Sequence, residues 1–289
     1  MNPLLKTFAF AALAGLGSAH AGTPIQEERS LNGDAKVYVA NSTGSITVRG
    51  WDRRLLKLSG ELGAGGPKLE ISGDAADLRI EVRAPKDSHR YEGTDLILSL
   101  PSGVRLEVVG VSSDVDVQGL SGALQAHSVS GDVRLDVSAS EVKARTVSGD
   151  LRLRGPVRRC HLNSVSGDLH AEGPSDQLTL ETVSGNVVLQ GGPFRTLAAK
   201  SISGDMNLQV SLEPEAVVEG ETLSGQIQAR LQGSPSAEVS LRSFSGHVHS
   251  ELAGTRPVVS REDRLEFTLG QGRGRIDLSS FSGDIELLK

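Results

Sequence analysis

The chain repeats Val-Ser-Gly-Asp, or a close variant of it, at nearly fixed intervals, and this periodicity restricts its possible folds more than any other feature. With the glycine of each copy as anchor, Gly131, Gly149, Gly167 and Gly185 stand 18 residues apart, and Ser113 occupies the same slot 18 residues earlier. The spacing widens to 19 at Gly204 and to 21 at Gly225 and again at Gly246, and Gly283 follows after 37. A period near 20 residues with β-type sequence predicts an all-β, parallel β-solenoid: a single-stack β-helix with coils of roughly 18–21 residues.

Each column of the repeat has its own chemistry. After the glycine, apolar residues take the second and fourth places: Val133 and Leu135, Leu151 and Leu153, Leu169 and Ala171, Val187 and Leu189, Met206 and Leu208. A second alternating run carries Val142 and Ala144, Cys160 and Leu162, Leu178 and Leu180, Leu197 and Ala199, Val239 and Leu241. Period-2 alternation predicts two half-buried strands per coil. The breakers Gly155-Pro156, Gly173-Pro174 and Gly191-Gly192-Pro193 mark the loop that absorbs the changing period. Continued through Val147-Ser148-Gly149-Asp150-Leu151, the alternation turns Val147, Gly149 and Leu151 inward and Ser148 and Asp150 outward. A recurrent inward glycine then marks a bend too tight for a Cβ, or a positive φ.

Three segments are expected. Residues 1–21 read as a cleaved export signal: Lys6, then the apolar stretch Phe8 to Gly17, then Ala19-His20-Ala21. Ten apolar residues are too few to cross a bilayer. Residues 22–101 alternate less regularly, through Val37, Val39, Ile46, Val48, Leu78, Ile80, Leu96 and Leu98. They read as longer N-terminal capping coils, with a separate small β domain as the alternative, and residues 102–289 carry the regular repeats.

Composition narrows the function. A net charge of −6 with no Lys/Arg cluster excludes the electrostatic footprint of a nucleic-acid binder. The single cysteine cannot form an internal disulfide, and no second long apolar run predicts a transmembrane segment in the mature chain.

Several motifs together resemble the bacterial "putative adhesin" β-strand-repeat family, a domain of unknown function. They are Asn41-Ser42-Thr43-Gly44-Ser45-Ile46-Thr47-Val48 with Gly50-Trp51-Asp52, then Leu98-Ser99-Leu100-Pro101, the Ser-Gly-Asp series, and the closing Ser282-Gly283-Asp284-Ile285. The resemblance covers essentially the whole mature chain. It implies a β-solenoid, an envelope or surface location and no established catalytic residues. The chain departs from the pattern at Ser113, Gln226 and His247 and across Ala253 to Gly270.

The candidate chemistry is sparse. Asp114, Asp132, Asp150, Asp168, Asn186 and Asp205 should stack on one edge. Asp132, Asp150, Asp168 and Asp205 are the one candidate column for a cation or partner, but calcium needs six to eight oxygens. The preferred reading is therefore a solvated ladder offset by Arg134 and Arg152, with no metal or other cofactor. The serines from Ser130 to Ser245 are expected to form a hydrogen-bonded ladder between coils. His247 and His249 share a strand face beside Gln226 and Gln228, two ligands short of a zinc site. Cys160 fills an apolar slot, and Trp51 fills a cap.

An exported, non-enzymatic binding or structural module of the cell envelope is the reading that follows, with an unknown envelope protein or polymer as partner. An envelope-stress accessory and, behind it, a polysaccharide-acting β-helix enzyme are the alternatives. No spanning strands, lipid site or wall-sorting tail follow Lys289, which favours the periplasm over the surface or secretion.

Overall fold

The computed structural model describes residues 22–84, 92–252, 257–261 and 263–289, so the expected signal over 1–21 lies outside the described residues. What it describes is all-β, with strands joined into one mixed sheet and no helix. The alternating apolar columns explain the strands. Val142, Ala144, Leu151 and Leu153 are buried while Lys143, Arg145, Arg152 and Arg154 between them are exposed.

Successive repeats pair in parallel along two walls. On the first, Glu141–Ser148 lies between Leu124–Ser130 and Arg159–Ser166, with Val142 opposite both Leu124 and Cys160. On the second, Leu151–Arg154 lies between Val133–Asp136 and Leu169–Glu172. The 18-residue period is the register itself. Slipping it by one residue would turn Leu151 and Leu153 to solvent, at about 1.5–3 kcal/mol for each side chain exposed.

The corner between the walls is where glycine is required. Gly149 has φ 137° and Gly167 φ 147°, a backbone region that side chains resist. An added Cβ at Gly167 would also overlap the Gly149 carbonyl oxygen, as one at Gly149 would overlap that of Gly131. Both reasons anticipated from the alternation, a tight bend and a positive φ, operate at once.

The corner also corrects the expected facing. Thr146 points inward, and Val147 and Ser148 both point outward before the chain turns. The outward pair means that period-2 counting cannot be carried across the bend. The inward slot holds a small hydroxyl in eight successive repeats, Ser128, Thr146, Ser164, Thr182, Ser201, Thr222, Ser280 and Ser243, and Gly110 in the one before them.

Repeat order departs from chain order at both ends. The strand Gly274–Ser282 pairs with Met206–Ser224 on one side and Ala237–Ser245 on the other, both in parallel. The last repeat, at Gly283, therefore inserts between those of Gly225 and Gly246, and Gly246 meets Gly283 rather than Gly225. The 37-residue interval is the detour that permits this: Arg264–Leu269 runs antiparallel along the outer edge of Ala237–Ser245, with Pro257–Arg261 beyond it. The N-terminal end is built alike. Lys36–Trp51 lies between Arg105–Gln118 and the strands Asp77–Arg83 and Thr94–Pro101, and antiparallel partners cover the outside. Antiparallel caps at both ends leave little of the parallel ladder open to further strand addition.

Candidate binding surface

The aspartate column sits immediately after the corner, and its geometry assigns it a role in the fold. Asp132 Oδ1 accepts a hydrogen bond from the backbone N–H of Asp150 at 3.1 Å, and Asp150 Oδ1 accepts from Asp168 at 3.1 Å. Asp168 Oδ1 accepts from Asn186 at 2.8 Å, Asn186 Oδ1 from Asp205 at 3.1 Å, and Asp205 Oδ1 from Gln226 at 2.8 Å. Asp284 does the same for His247 at 2.8 Å, following the spatial order of the repeats and not the chain order. Each side chain thus receives an amide left over where the chain turns. Two of the free oxygens meet arginines: Asp132 Oδ2 lies 2.7 Å from Arg134 Nη2, and Asp150 Oδ2 lies 2.8 Å from Arg152 Nη2. The oxygens of this column point along the stack and do not converge on a shared point.

The ladder between repeats is therefore carried by the aspartates and not, as expected, by the serines. Ser130, Ser148 and Ser166 are adjacent through their backbones, and no side-chain hydrogen bond from them is present among the described residues. In the buried hydroxyl column, Ser243 Oγ donates to the Gly283 carbonyl at 2.8 Å and Ser280 Oγ to the Gly225 carbonyl at 3.3 Å. The hydroxyls of Thr146, Ser164 and Thr182 have no such partner within reach.

The remaining candidates are placed as follows. His247 and His249 neighbour Asp284 and Glu286, because the last repeat lies beside them; the expected neighbours Gln226 and Gln228 are one repeat further away. His247 Nδ1 is 3.6 Å from Asp284 Oδ1. No group of three or more His, Cys, Asp or Glu among the described residues could hold a metal ion. Cys160 is buried in the apolar column, and burial pushes its thiol pKa up, which disfavours the reactive thiolate. Trp51 is half-buried in the N-terminal end, where its Nε1–H donates to the Leu55 carbonyl at 2.9 Å.

Two features escaped the sequence reading. Asp176 is the one non-glycine residue with positive φ among those described, at 64°, in an open cleft of about 620 Å³ with Arg158, Arg195 and Arg273. Its carboxylate is engaged at 3.0 Å by Arg195 and at 3.4 Å by Arg158, so it is no free acid. The second is the corner column itself: Val111, Val129, Val147, Val183, Ile202, Leu223, Phe281 and Phe244 are all exposed, with Val165 half-exposed among them. The signal for it was present, since an apolar residue precedes every Ser-Gly, but the alternation assigned it to the core.

The stacked parallel repeats, the glycine corner and the capped ends together define the relationship. The model for the family described as Toastrack DUF4097 matches residues 34–288. The chain belongs to this family. The Toastrack fold is β-solenoid-like, in keeping with the parallel ladders above. A crystal structure of a "putative adhesin" from Parabacteroides merdae is similar over 93% of this chain and 97% of that one, at 8% identity and a TM-score of 0.51. A "putative adhesin" from Bacteroides fragilis aligns over 94% of this Toastrack chain and 100% of its own, with 12% identity and a TM-score of 0.37. A "putative lipid binding protein" from Parabacteroides distasonis does so over 93% and 98%, with 10% identity and a TM-score of 0.40. No curated protein matches the sequence. Among the described residues no helix is long and apolar enough to cross a membrane.

Proposed function

We propose that this Toastrack protein is an exported, non-enzymatic binding or structural module of the bacterial cell envelope, built as a single-stack β-solenoid of 18–21-residue coils on longer N-terminal coils. The observation that carries this reading is how the polar side chains are used. The aspartates hold amides of neighbouring repeats, and half-buried carboxylates such as Glu141, Glu172 and Asp176 are engaged by cations of their own or the adjacent repeat. An acid–base pair or a metal site requires convergence, whereas these groups repeat along an axis, as suits an extended display surface. The name of the similar Parabacteroides merdae structure, a "putative adhesin", agrees with a binding role.

Fractionation of cells that produce the full-length chain tests export, and co-sedimentation of the mature protein with isolated envelopes tests binding. The expected product begins at Gly22, appears in the periplasmic fraction and sediments with envelopes. Retention in the cytosol with residues 1–21 attached would overturn the export reading, and release of soluble fragments from envelope polysaccharide would overturn the non-enzymatic one.

A further inference from the structure

The exposed corner column is a continuous ridge. In spatial order it runs Val111, Val129, Val147, Val165, Val183, Ile202, Leu223, Phe281, Phe244, one residue per repeat. At about 4.8 Å per repeat it extends for roughly 38 Å. Exposure runs from 41% at Val147 to 77% at Phe244 among its fully exposed members, and the rings of Phe244 and Phe281 stack with centroids 4.8 Å apart. One flank is the serine column, small and uncharged. The other carries His127, Arg145, Asn163, Glu181, Lys200, Glu221, Ser279 and Arg242. Nothing in the fold calls for this ridge, because the corner is made by glycine and held by aspartate, and neither needs a large apolar residue beside it.

We propose that the ridge is the interface of a symmetric homodimer, in which two copies pack corner to corner with their long axes antiparallel. Three observations select a second copy as the occupant. The first is area. Nine apolar side chains at this exposure offer on the order of 700 Å² per subunit, close to the ~800 Å² per partner of a stable, specific interface and larger than a soluble monomer commonly leaves uncovered.

The second is the gradient in size along the ridge, from valine at one end to phenylalanine at the other. Antiparallel packing about a dyad at Val183 sets Val111 against the partner's Phe244 and Val129 against the partner's Phe281. Val147 then meets the partner's Leu223, and Val165 the partner's Ile202. Large faces small at every step away from the central Val183 pair, so two straight ridges stay in contact along their whole length. Parallel packing would stack four phenylalanines at one end and hold the valines apart at the other.

The third is charge. The same dyad places Arg145, which makes no ion pair within its own chain among the described residues, beside the partner's Glu221, a carboxylate it would share with that subunit's Lys200, and does so twice by symmetry. Glu181, which accepts from Asn163 Nδ2 at 3.1 Å, meets its own copy at the dyad, and Lys200, held by Glu219 and Glu221 of its own chain, lies one repeat away in each subunit. The serine flanks meet without charge.

The test uses the mature chain in solution. Analytical ultracentrifugation over a micromolar concentration range should give a dimer. Val183→Arg, which forces a long, strongly hydrated side chain from each copy into the apolar centre of the contact, should weaken association at least about 100-fold. Val188→Arg, on an exposed site of the second wall, should leave it unchanged, and circular dichroism should show all three proteins equally folded. Orientation is read with a short bismaleimide. Val183→Cys should cross-link to itself, Val111→Cys should not, and Val111→Cys mixed with Phe244→Cys should give a cross-linked heterodimer. A monomer at all concentrations, a dimer indifferent to Val183→Arg, self-linking of Val111→Cys, or a monomer that floats with phospholipid vesicles through the ridge would each overturn the proposal.

Discussion

Replacing Asp132, Asp150 and Asp168 together distinguishes an amide-holding column from an ion-binding one, provided that asparagine and alanine are compared. Each of the three carboxylates accepts one backbone N–H from the next repeat, at 3.1, 3.1 and 2.8 Å. Alanine removes all three acceptors, and at about 1 kcal/mol per hydrogen bond the loss comes to about 3 kcal/mol. For a chain of this size that lowers the melting temperature by roughly 6–12 °C. Asparagine keeps an acceptor oxygen in place, and the column already shows that this works, since Asn186 Oδ1 accepts from Asp205 at 3.1 Å. What asparagine gives up is the contact of Asp132 with Arg134 and of Asp150 with Arg152, exposed pairs whose combined contribution is about 1 kcal/mol or less. The triple asparagine variant should therefore melt within about 4 °C of the parent. Thermal melting of the three proteins, each with calcium and with chelator, is the assay. Equal losses for asparagine and alanine would show that charge and not hydrogen bonding is at stake. A calcium-induced rise confined to the parent would refute the amide-holding account outright.

Gly167→Ala should cost about 2–4 kcal/mol, seen as a lower denaturant midpoint, because both the φ of 147° and the Gly149 carbonyl oppose a Cβ; Gly33→Ala, which meets nothing within 4 Å, serves as the neutral control. Cys160 should ignore thiol reagents in the native protein and react after denaturation, and rapid native labelling would move it out of the core. The carboxyl pKa values of Glu141, held by Lys143, of Glu172, held by His170, and of Glu266, held by Arg264, all lie below the usual carboxylate range. Their contribution is present above the unfolded pKa and is lost as pH falls through the depressed folded values, so the melting temperature should decline below about pH 4. A melting temperature that is flat or rising from pH 5 to pH 2 would contradict the sign.

Much of this protein follows from its sequence because its main determinants are local and repeated. The 18-residue period became the register of the parallel ladders, since a slip would expose Leu151, Leu153 and their equivalents in every repeat. The inward glycine was legible for the same reason: the repeats from Gly131 to Gly283 turn the same corner with the same residue, and the Ser113 repeat alone among those from Val111 onward does without it. Three things were decided only by the tertiary structure. The facing of Val147 depended on the backbone path at the corner, where two consecutive residues point outward; alternation holds along a strand and carries no information through a turn. The role of the aspartates depended on which amides the turn leaves unpaired, and no count of charges reveals that. The insertion of the last repeat between those of Gly225 and Gly246 depended on which strand edges remained free when the chain returned. The 37-residue interval suits a skipped repeat and a folded-back hairpin equally well, and pairing energy between distant strands, rather than any local pattern, chooses between them.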